Sequence, residues 1–394
     1  MRAMQGEQSD QLPEVRHRDP LRSARYVLPT TILYGAGTLD QLPQLLSELG
    51  VGYPLIITDR GLGATPIPQL VIDVLRAAGV KHDVYADVES DPSTAIVDQI
   101  ARLLRERGND AVIGLGGGSA MDAAKAAAAA AASGLPVSQL TGPDKVPCDP
   151  LPIIAIPTTA GTGSEVTRFA VLTDLDAGAK VSVASLRIMP KFAVLDPSLT
   201  TGLPPALTAS TGLDALAHAV ESYGSVWNNP VSEGMALHAI GLVGQHLRTA
   251  AARPGDLIAR GGMLAAACIA ELAANTTRLG LAHALALPLG ATHHIPHGVA
   301  VAMMLGPMCA FNEDVDPSRY EQVASALDAT SGTASAAIAK LCADLGLKAR
   351  LRDFGVREED YDRILTLATR SDNVLANPRA AGPSEMKQLL AQAQ

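Results

Sequence analysis

Ala111-Val112-Ile113-Gly114-Leu115-Gly116-Gly117-Gly118-Ser119-Ala120-Met121-Asp122 decides the fold. Ala111–Leu115 is a short apolar run that stops at glycines, the pattern of a buried strand. An alanine-rich stretch follows, including the unbroken run Ala126–Ala132, and alanine is the best helix former. Strand, glycine turn and helix in succession are half of a βαβ unit. The glycines let the backbone approach a ligand closely and take positive φ. The helix start offers free N–H groups and the positive end of the dipole to an anion. The spacing is not G-x-G-x-x-G, so the dinucleotide fingerprint is absent. On this stretch alone, a structural turn and a phosphate loop fit equally well.

Working outward, the same rhythm repeats. Pro54–Thr58, His82–Ala86 and Leu151–Ile156 read as strands, and Pro68–Ala78 and Ser93–Arg107 read as helices with apolar residues three and four apart. Alternation of this kind predicts an α/β domain with a mainly parallel, Rossmann-like sheet. After Asp196-Pro197 the pattern changes. Pro205–Tyr223, Ser232–Ala251, Asp256–Ala274, Gly298–Phe311, Pro317–Leu327 and Ser335–Leu345 all read as helices, with no strand among them. The expected organisation is a loose arm over 1–25, a dinucleotide-binding α/β domain over 26–203 and an all-α, metal-binding domain over 204–394, with a ligand cleft between the halves.

Composition narrows the function. Aromatic residues are 3% of the chain and the net charge is -9, which leaves neither stacking platforms nor a basic footprint for nucleic acid. Arg16, His17, Arg18, Arg22 and Arg25 are interleaved with acids and read as a solvated leader. Cys148, Cys268, Cys309 and Cys342 are widely spaced with no C-x-x-C, so neither a disulfide framework nor a thiolate metal site is expected. No long apolar run reads as a membrane span, and the N-terminus lacks the apolar core of a signal peptide. These features predict a soluble cytoplasmic protein without nucleic-acid or membrane partners.

Several residues carry chemistry. Asp59 ends the second strand, where a carboxylate can accept from a ribose diol and repel a 2′-phosphate; a turn-capping Asp is the plainer alternative. Pro157-Thr158-Thr159-Ala160-Gly161-Thr162-Gly163-Ser164-Glu165 packs hydroxyls and glycines just after a strand, as phosphate or nicotinamide contacts require. Lys180 follows in an extended segment. In the helical half, Asp214 and His218 are four apart and share one helix face. His283 and His297 add two imidazoles fourteen residues apart. One carboxylate and three histidines suit Fe2+, with Zn2+ as the other candidate. Each histidine could singly be a satisfied core residue, but Asp214 on an apolar helix needs a partner.

GGGSAMDAAKA, PTTAGTGSEVT, DPSLTTGLPPALTASTGLDALAHAVES and LGLAHALALPLGATHHIPHG resemble the iron-containing (group III) alcohol dehydrogenase family, from about Val27 to the C-terminus. The resemblance implies a dehydroquinate synthase-like two-domain architecture with the cofactor in the cleft. It implies that Asp214, His218, His283 and His297 hold the metal. It also implies that Gly116, Gly117, Gly118 and Ser119, with Asp122, form the pyrophosphate loop, and that Thr158, Thr159, Thr162 and Lys180 lie along the cofactor. Asp59 matches the place where an acid accompanies NAD rather than NADP. Two positions depart from the pattern. Leu287 stands where many relatives carry a second histidine near nicotinamide and substrate, and Asp91 stands where many have Asn before Pro.

The expected function is metal-dependent hydride transfer between a small primary alcohol or aldehyde and NAD, with NADP less favoured. The remaining proton leaves through water, a ribose hydroxyl or His294. Two rivals are a lyase or cyclase of the dehydroquinate synthase type and a non-catalytic cofactor-binding protein. The first would need a basic phosphate site, and Arg278 is the only base near the ligands. A homodimer or higher homo-oligomer is expected from the relatives.

Overall fold

The computed structural model describes residues 15–394, apart from 17, 20, 176, 177, 329 and 331. The first half contains strands β1 (Thr31–Tyr34), β2 (Pro54–Asp59), β3 (Asp83–Val88), β4 (Ala111–Gly116), β5 (Gly142–Pro143), β6 (Ile153–Pro157), β7 (Phe169–Asp174), β8 (Ala179–Ala184) and β9 (Phe192–Leu195). Its helices are α1 (Leu42–Leu49), α2 (Arg60–Gly63), α3 (Ile67–Ala77), α4 (Thr94–Arg107), α5 (Gly118–Ser133) and α6 (Val137–Leu140). Six strands form one sheet in the order β1-β9-β6-β4-β2-β3, every pair parallel.

Alternation along these strands builds two cores. Leu55, Ile57, Val112 and Ile153 face α4 and α5. Ile56, Ile113, Leu115, Ile154 and Val194 face α1 and α3. Burial on both faces is why the strands read as unbroken apolar runs. The run Ala126–Ala130 is fully buried, so α5 lies flush on the sheet without long side chains between. A smaller sheet, β5-β8-β7, with β7 and β8 antiparallel, packs Ala170, Leu172 and Val183 into the same core as α5.

From Pro205 onward the described residues are helical: α7 (Pro205–Gly224), α8 (Pro230–Ala252), α9 (Leu257–Thr277), α10 (Leu281–His293), α11 (His297–Glu313), α12 (Pro317–Leu327), α13 (Ala334–Asp344), α14 (Tyr361–Ala368), α15 (Asn373–Ala376) and α16 (Pro383–Gln392). They enclose one large core. Helix α9 is long and apolar enough to cross a membrane, yet most of it is buried inside the protein, packed against α7 and α8. Val166, Ala193 and Leu195 from the sheet side meet Leu264 and Cys268 of α9, forming the apolar seam between the halves.

Three differences from the sequence reading stand out. Helix α10 was unassigned, because Pro288 interrupts it and its apolar residues show no one-sided stripe. Strands β1 and β9 and the β7–β8 hairpin were also missed. The segment read as a loose arm is docked where it is described. Val15 pairs with Arg379, and Arg18 bridges Glu233 and Asp316 at 3.1 and 2.8 Å. The Tyr26 hydroxyl donates to Asn229 at 2.7 Å. Residues 1–14 lie outside the described chain.

Candidate metal and cofactor site

The C-terminal ends of β2, β4 and β6 are neighbours in the sheet, and they deliver Asp59, Gly116 and Pro157 to one edge. That edge is where open parallel sheets bind ligands. Gly116 has φ 147, and a Cβ there would lie 2.9 Å from Ala120 and 3.1 Å from the Asp59 carboxylate. Only glycine fits. Helix α5 begins with Gly117 as its N-cap and no side chain capping it. Its first N–H groups therefore lack a side-chain partner, as an anion site requires. Thr159 packs on Gly117 and Thr162 on Gly118, so the two loops line one hollow. Asp59 also caps α2, accepting from Leu62 N at 2.9 Å, so the turn-capping role is present whether or not a ribose is bound.

Asp91 and Lys180 form an ion pair at 2.5 Å. Lys180 also donates to Thr173, and Asp91 N donates to the Ser119 hydroxyl at 3.3 Å. The pair thus borders the glycine loop, and its charges are felt at His297 in the other half.

Asp122 is spent on structure. One oxygen accepts from the Ser164 hydroxyl at 2.5 Å and pairs with Lys125 at 3.0 Å; the other accepts from Val171 N at 2.9 Å. As placed, it braces the loop after β6 and has no oxygen aimed at the hollow. Lys125, which the sequence reading passed over, is fully buried. Its ammonium donates to the Ser164 carbonyl and hydroxyl, to the Thr167 hydroxyl and to the Phe169 carbonyl. The available signal was one Lys in an alanine run, three residues after an Asp. A buried ammonium survives only when paired and hydrogen-bonded.

In the helical half, α7 carries Asp214 and His218, the start of α10 carries His283, and the start of α11 carries His297. Asp214 Oδ1 lies 3.4 Å from His283 Nε2, 3.6 Å from His297 Nε2 and 3.9 Å from His218 Nε2. Ligand atoms of Asp214, His283 and His297 all fall within 4.8 Å of one another, while the His218 ring stacks on His283 at 4.7 Å. Three of the four side chains are deeply buried, and His297 is 40% exposed. Gly298 lets the start of α11 approach α7, since a Cβ there would lie 2.5 Å from the Ser210 carbonyl.

These residues fit a metal. Asp214 Oδ1 and His283 Nε2 are buried with no hydrogen-bond partner, a costly arrangement for bare polar atoms. The separations exceed those of N–H···O bonds. Those to His283 and His297, 3.4 and 3.6 Å, match donors about 2.1 Å from a shared tetrahedral centre, which stand about 3.4 Å apart; His218, at 3.9 Å, stands further out.

The surroundings shift the protonation of these groups. Burial pushes His218 down to about 4, which keeps its imidazole neutral. Burial works against ionised Asp214, but His218, His297 and His283 outweigh it and hold the carboxyl below its usual range. Burial also opposes charging His283, but the Glu221 and Asp214 carboxylates carry its pKa up to about 10. Glu271 stands 3.2 Å from His218 Nδ1, yet off the line a hydrogen bond needs, so that nitrogen is left without a partner. Burial lifts the Glu271 carboxyl well above its ordinary value. Glu165, in the loop after β6, is raised to about 7 by burial. Glu165, Glu221 and Glu271 were not singled out in sequence; Glu221 and Glu271 are acids inside apolar stretches, the same signal that exposed Asp214, whereas Glu165 lies in a hydroxyl-rich loop that gives no such signal.

His294 is exposed, caps the end of α10 with φ 55, and lies outside the Asp214, His283 and His297 group. His293 pairs with Asp360 at 3.4 Å. Leu287 is the one exposed residue of Leu281–Leu289. It lies one turn beyond His283 on the same helix face, so an apolar side chain borders the ligands there.

Comparison with known proteins identifies the family and the fold. Residues 29–197 match the iron-containing alcohol dehydrogenase family, and residues 208–394 match the C-terminal domain of the Fe-containing alcohol dehydrogenase family. The chain is 36% identical to 1,3-propanediol dehydrogenase of Klebsiella pneumoniae over 381 residues, covering 93% of this chain and 98% of that one. The solved structure of a 1,3-propanediol oxidoreductase superposes with a TM-score of 0.91 at 34% identity, covering 95% of this chain and 100% of that one. Sulfoacetaldehyde reductase of Bifidobacterium kashiwanohense in complex with NAD+ superposes at 0.87 with 32% identity, covering 94% and 99%. This chain belongs to the iron-containing alcohol dehydrogenase family.

Proposed function

We propose that the protein is a metal-dependent, NAD-linked oxidoreductase that interconverts a small primary alcohol and its aldehyde in the cytoplasm, acting as a homo-oligomer. The observation that carries this reading is the orphaned Asp214 oxygen ringed by three imidazoles, across the seam from an uncapped helix start. Fe2+ is the expected metal, and Zn2+ suits the same donors. When bound, the metal supplies Lewis acidity toward an alcohol oxygen, and nicotinamide supplies the hydride acceptor.

The chain's own residues do the rest. Asp214, His218, His283 and His297 present one carboxylate and three imidazole nitrogens to the metal. Gly116, Gly117, Gly118 and Ser119 offer backbone and hydroxyl donors to the pyrophosphate. Thr158, Thr159 and Thr162 line the adjoining hollow, and Asp59 receives the ribose hydroxyls. Asp59 and the Asp91 carboxylate beside Lys180 disfavour a 2′-phosphate, so NAD is selected over NADP. Asp122 serves by fixing the loop after β6. The solvent-exposed edge at His294 and His297 is where the substrate's proton reaches water. Closure of the seam around small reactants supplies proximity and excludes water.

The test is elemental analysis of purified protein, followed by NADH-linked turnover with a panel of short alcohols and aldehydes before and after chelation. Near-stoichiometric Fe or Zn, with turnover lost on chelation and restored by metal, is expected. Full turnover in protein shown to be metal-free would overturn the reading.

A further inference from the structure

Glu221 sits on α7 three residues after His218, fully buried, and is not one of the four proposed ligands. Its two oxygens are divided between tasks. Oε1 accepts from Ala282 N at 2.7 Å and from His283 N at 3.2 Å. These are the first-turn amides of α10, whose own N-cap, Gly280, provides no side-chain cap. Gly280 is in turn small because a Cβ there would lie 3.0 Å from that same oxygen. Oε2 meets His283 Nδ1 in a hydrogen bond. An ionised carboxylate only accepts, so Nδ1 must carry the proton. In the neutral ring that a metal requires, the lone pair is then on His283 Nε2, the buried nitrogen without a hydrogen-bond partner, aimed at Asp214.

We propose that Glu221 is the positioning residue of the metal centre: it holds His283 as the Nδ1–H tautomer and, through the same carboxylate, fixes the start of the helix that carries it. The inference rests on the metal reading above. A carboxylate behind a ligating imidazole locks ring orientation and raises ligand basicity, and losing one typically costs about 10- to 100-fold in metal affinity. Glu221→Gln separates the two tasks. Its amide oxygen can still cap α10, but its NH2 then faces Nδ1 and favours the opposite tautomer, placing a proton on Nε2 where the metal belongs.

The experiment measures Co2+ affinity of metal-free wild type and Glu221→Gln by competition with a chromogenic chelator, with thermal unfolding of both metal-free proteins alongside. Weakening of about 10- to 100-fold with little change in metal-free unfolding is the expected result. Glutamine binding Co2+ within about twofold of wild type overturns this inference and leaves the metal reading intact. Wild type that takes up no Co2+ overturns both. A second measurement needs only folded wild type. In the Zn2+-loaded, 15N-histidine protein, the His283 signals, assigned by their loss in His283→Asn, should show a proton on Nδ1; a proton on Nε2 overturns the proposal.

Discussion

Replacing Glu165 by glutamine should change how stability depends on pH. Glu165 is 2% exposed, and burial raises its pKa from 4.5 to about 7. Between those values the folded protein holds a proton that the unfolded chain has released. The unfolded state therefore binds fewer protons, and stability falls as pH rises through this window. At about 1.4 kcal/mol per pH unit, the interval from 4.5 to about 7 costs wild type about 3 kcal/mol by pH 8. Glutamine has no proton to lose and keeps the shape, so this component of the decline disappears. Urea unfolding of both proteins at pH 5, 6, 7 and 8, with chelator present throughout, isolates the difference. The gap in unfolding free energy should shift by about 2.5 kcal/mol in favour of the glutamine protein from pH 5 to pH 8, since part of the loss is already complete at pH 5. A gap that stays flat within 0.5 kcal/mol, a bound of about a third of one pH unit's worth, refutes the argument, because Glu165 would then be ionised in the fold at no cost.

Gly163→Ala should be severe: its φ is 58 and the added Cβ would lie 2.3 Å from Glu271 Cβ, so about 3 kcal/mol of strain and overpacking is expected in urea unfolding. Arg278→Gly should stabilise. Arg278 has φ 60 and ψ 174, a region costing a side chain about 1–3 kcal/mol, against about 1 kcal/mol for the lost exposed pair with Asp372 and the looser unfolded chain; a rise of about 1 kcal/mol is the expected balance, checked by thermal unfolding. Leu287→His should leave metal content unchanged and raise kcat/KM for a short diol relative to an n-alkanol about fivefold, the worth of one hydrogen bond, read from NADH-linked kinetics.

The sequence reading succeeded where one physical signal dominated. Strands β2, β4 and β6 were legible because both faces are buried, so each is an unbroken apolar run ended by Asp59, Gly116 or Pro157. Asp214 and His218 stood out as candidates because a carboxylate on an apolar helix face has few harmless explanations, and the structure buries both, 3.9 Å apart. Helix α10 was illegible for the opposite reason. Leu281–Ala286 are buried on every side, so no stripe forms, and Pro288 mimics an end signal. The edge strand β1 is only four residues long and half exposed, too short for a period. Asp122 was assigned to the cofactor because its position in the motif could not show that its oxygens were already engaged with Ser164 and Val171.

The motifs on the two sides of the seam are mechanically one object. Ser164 is held by Asp122 and Lys125 from α5, while the adjacent Gly163 presses on Glu271 of α9, and Glu271 stands 3.2 Å from His218. The loop after β6 is thereby two contacts away from a proposed metal ligand. This explains how a buried lysine offsets its desolvation cost: four acceptor atoms of the loop and the first residue of β7, with the Asp122 carboxylate, surround one ammonium and hold the loop to α5. It also explains why the loop carries glycine where it meets the helix, since any side chain there would have to displace Glu271. Thr159 and Thr162 of that loop pack on Gly117 and Gly118 while its Gly163 packs on Glu271 of α9, so one short segment touches both the glycine turn of the sheet domain and the helix that stands behind His218.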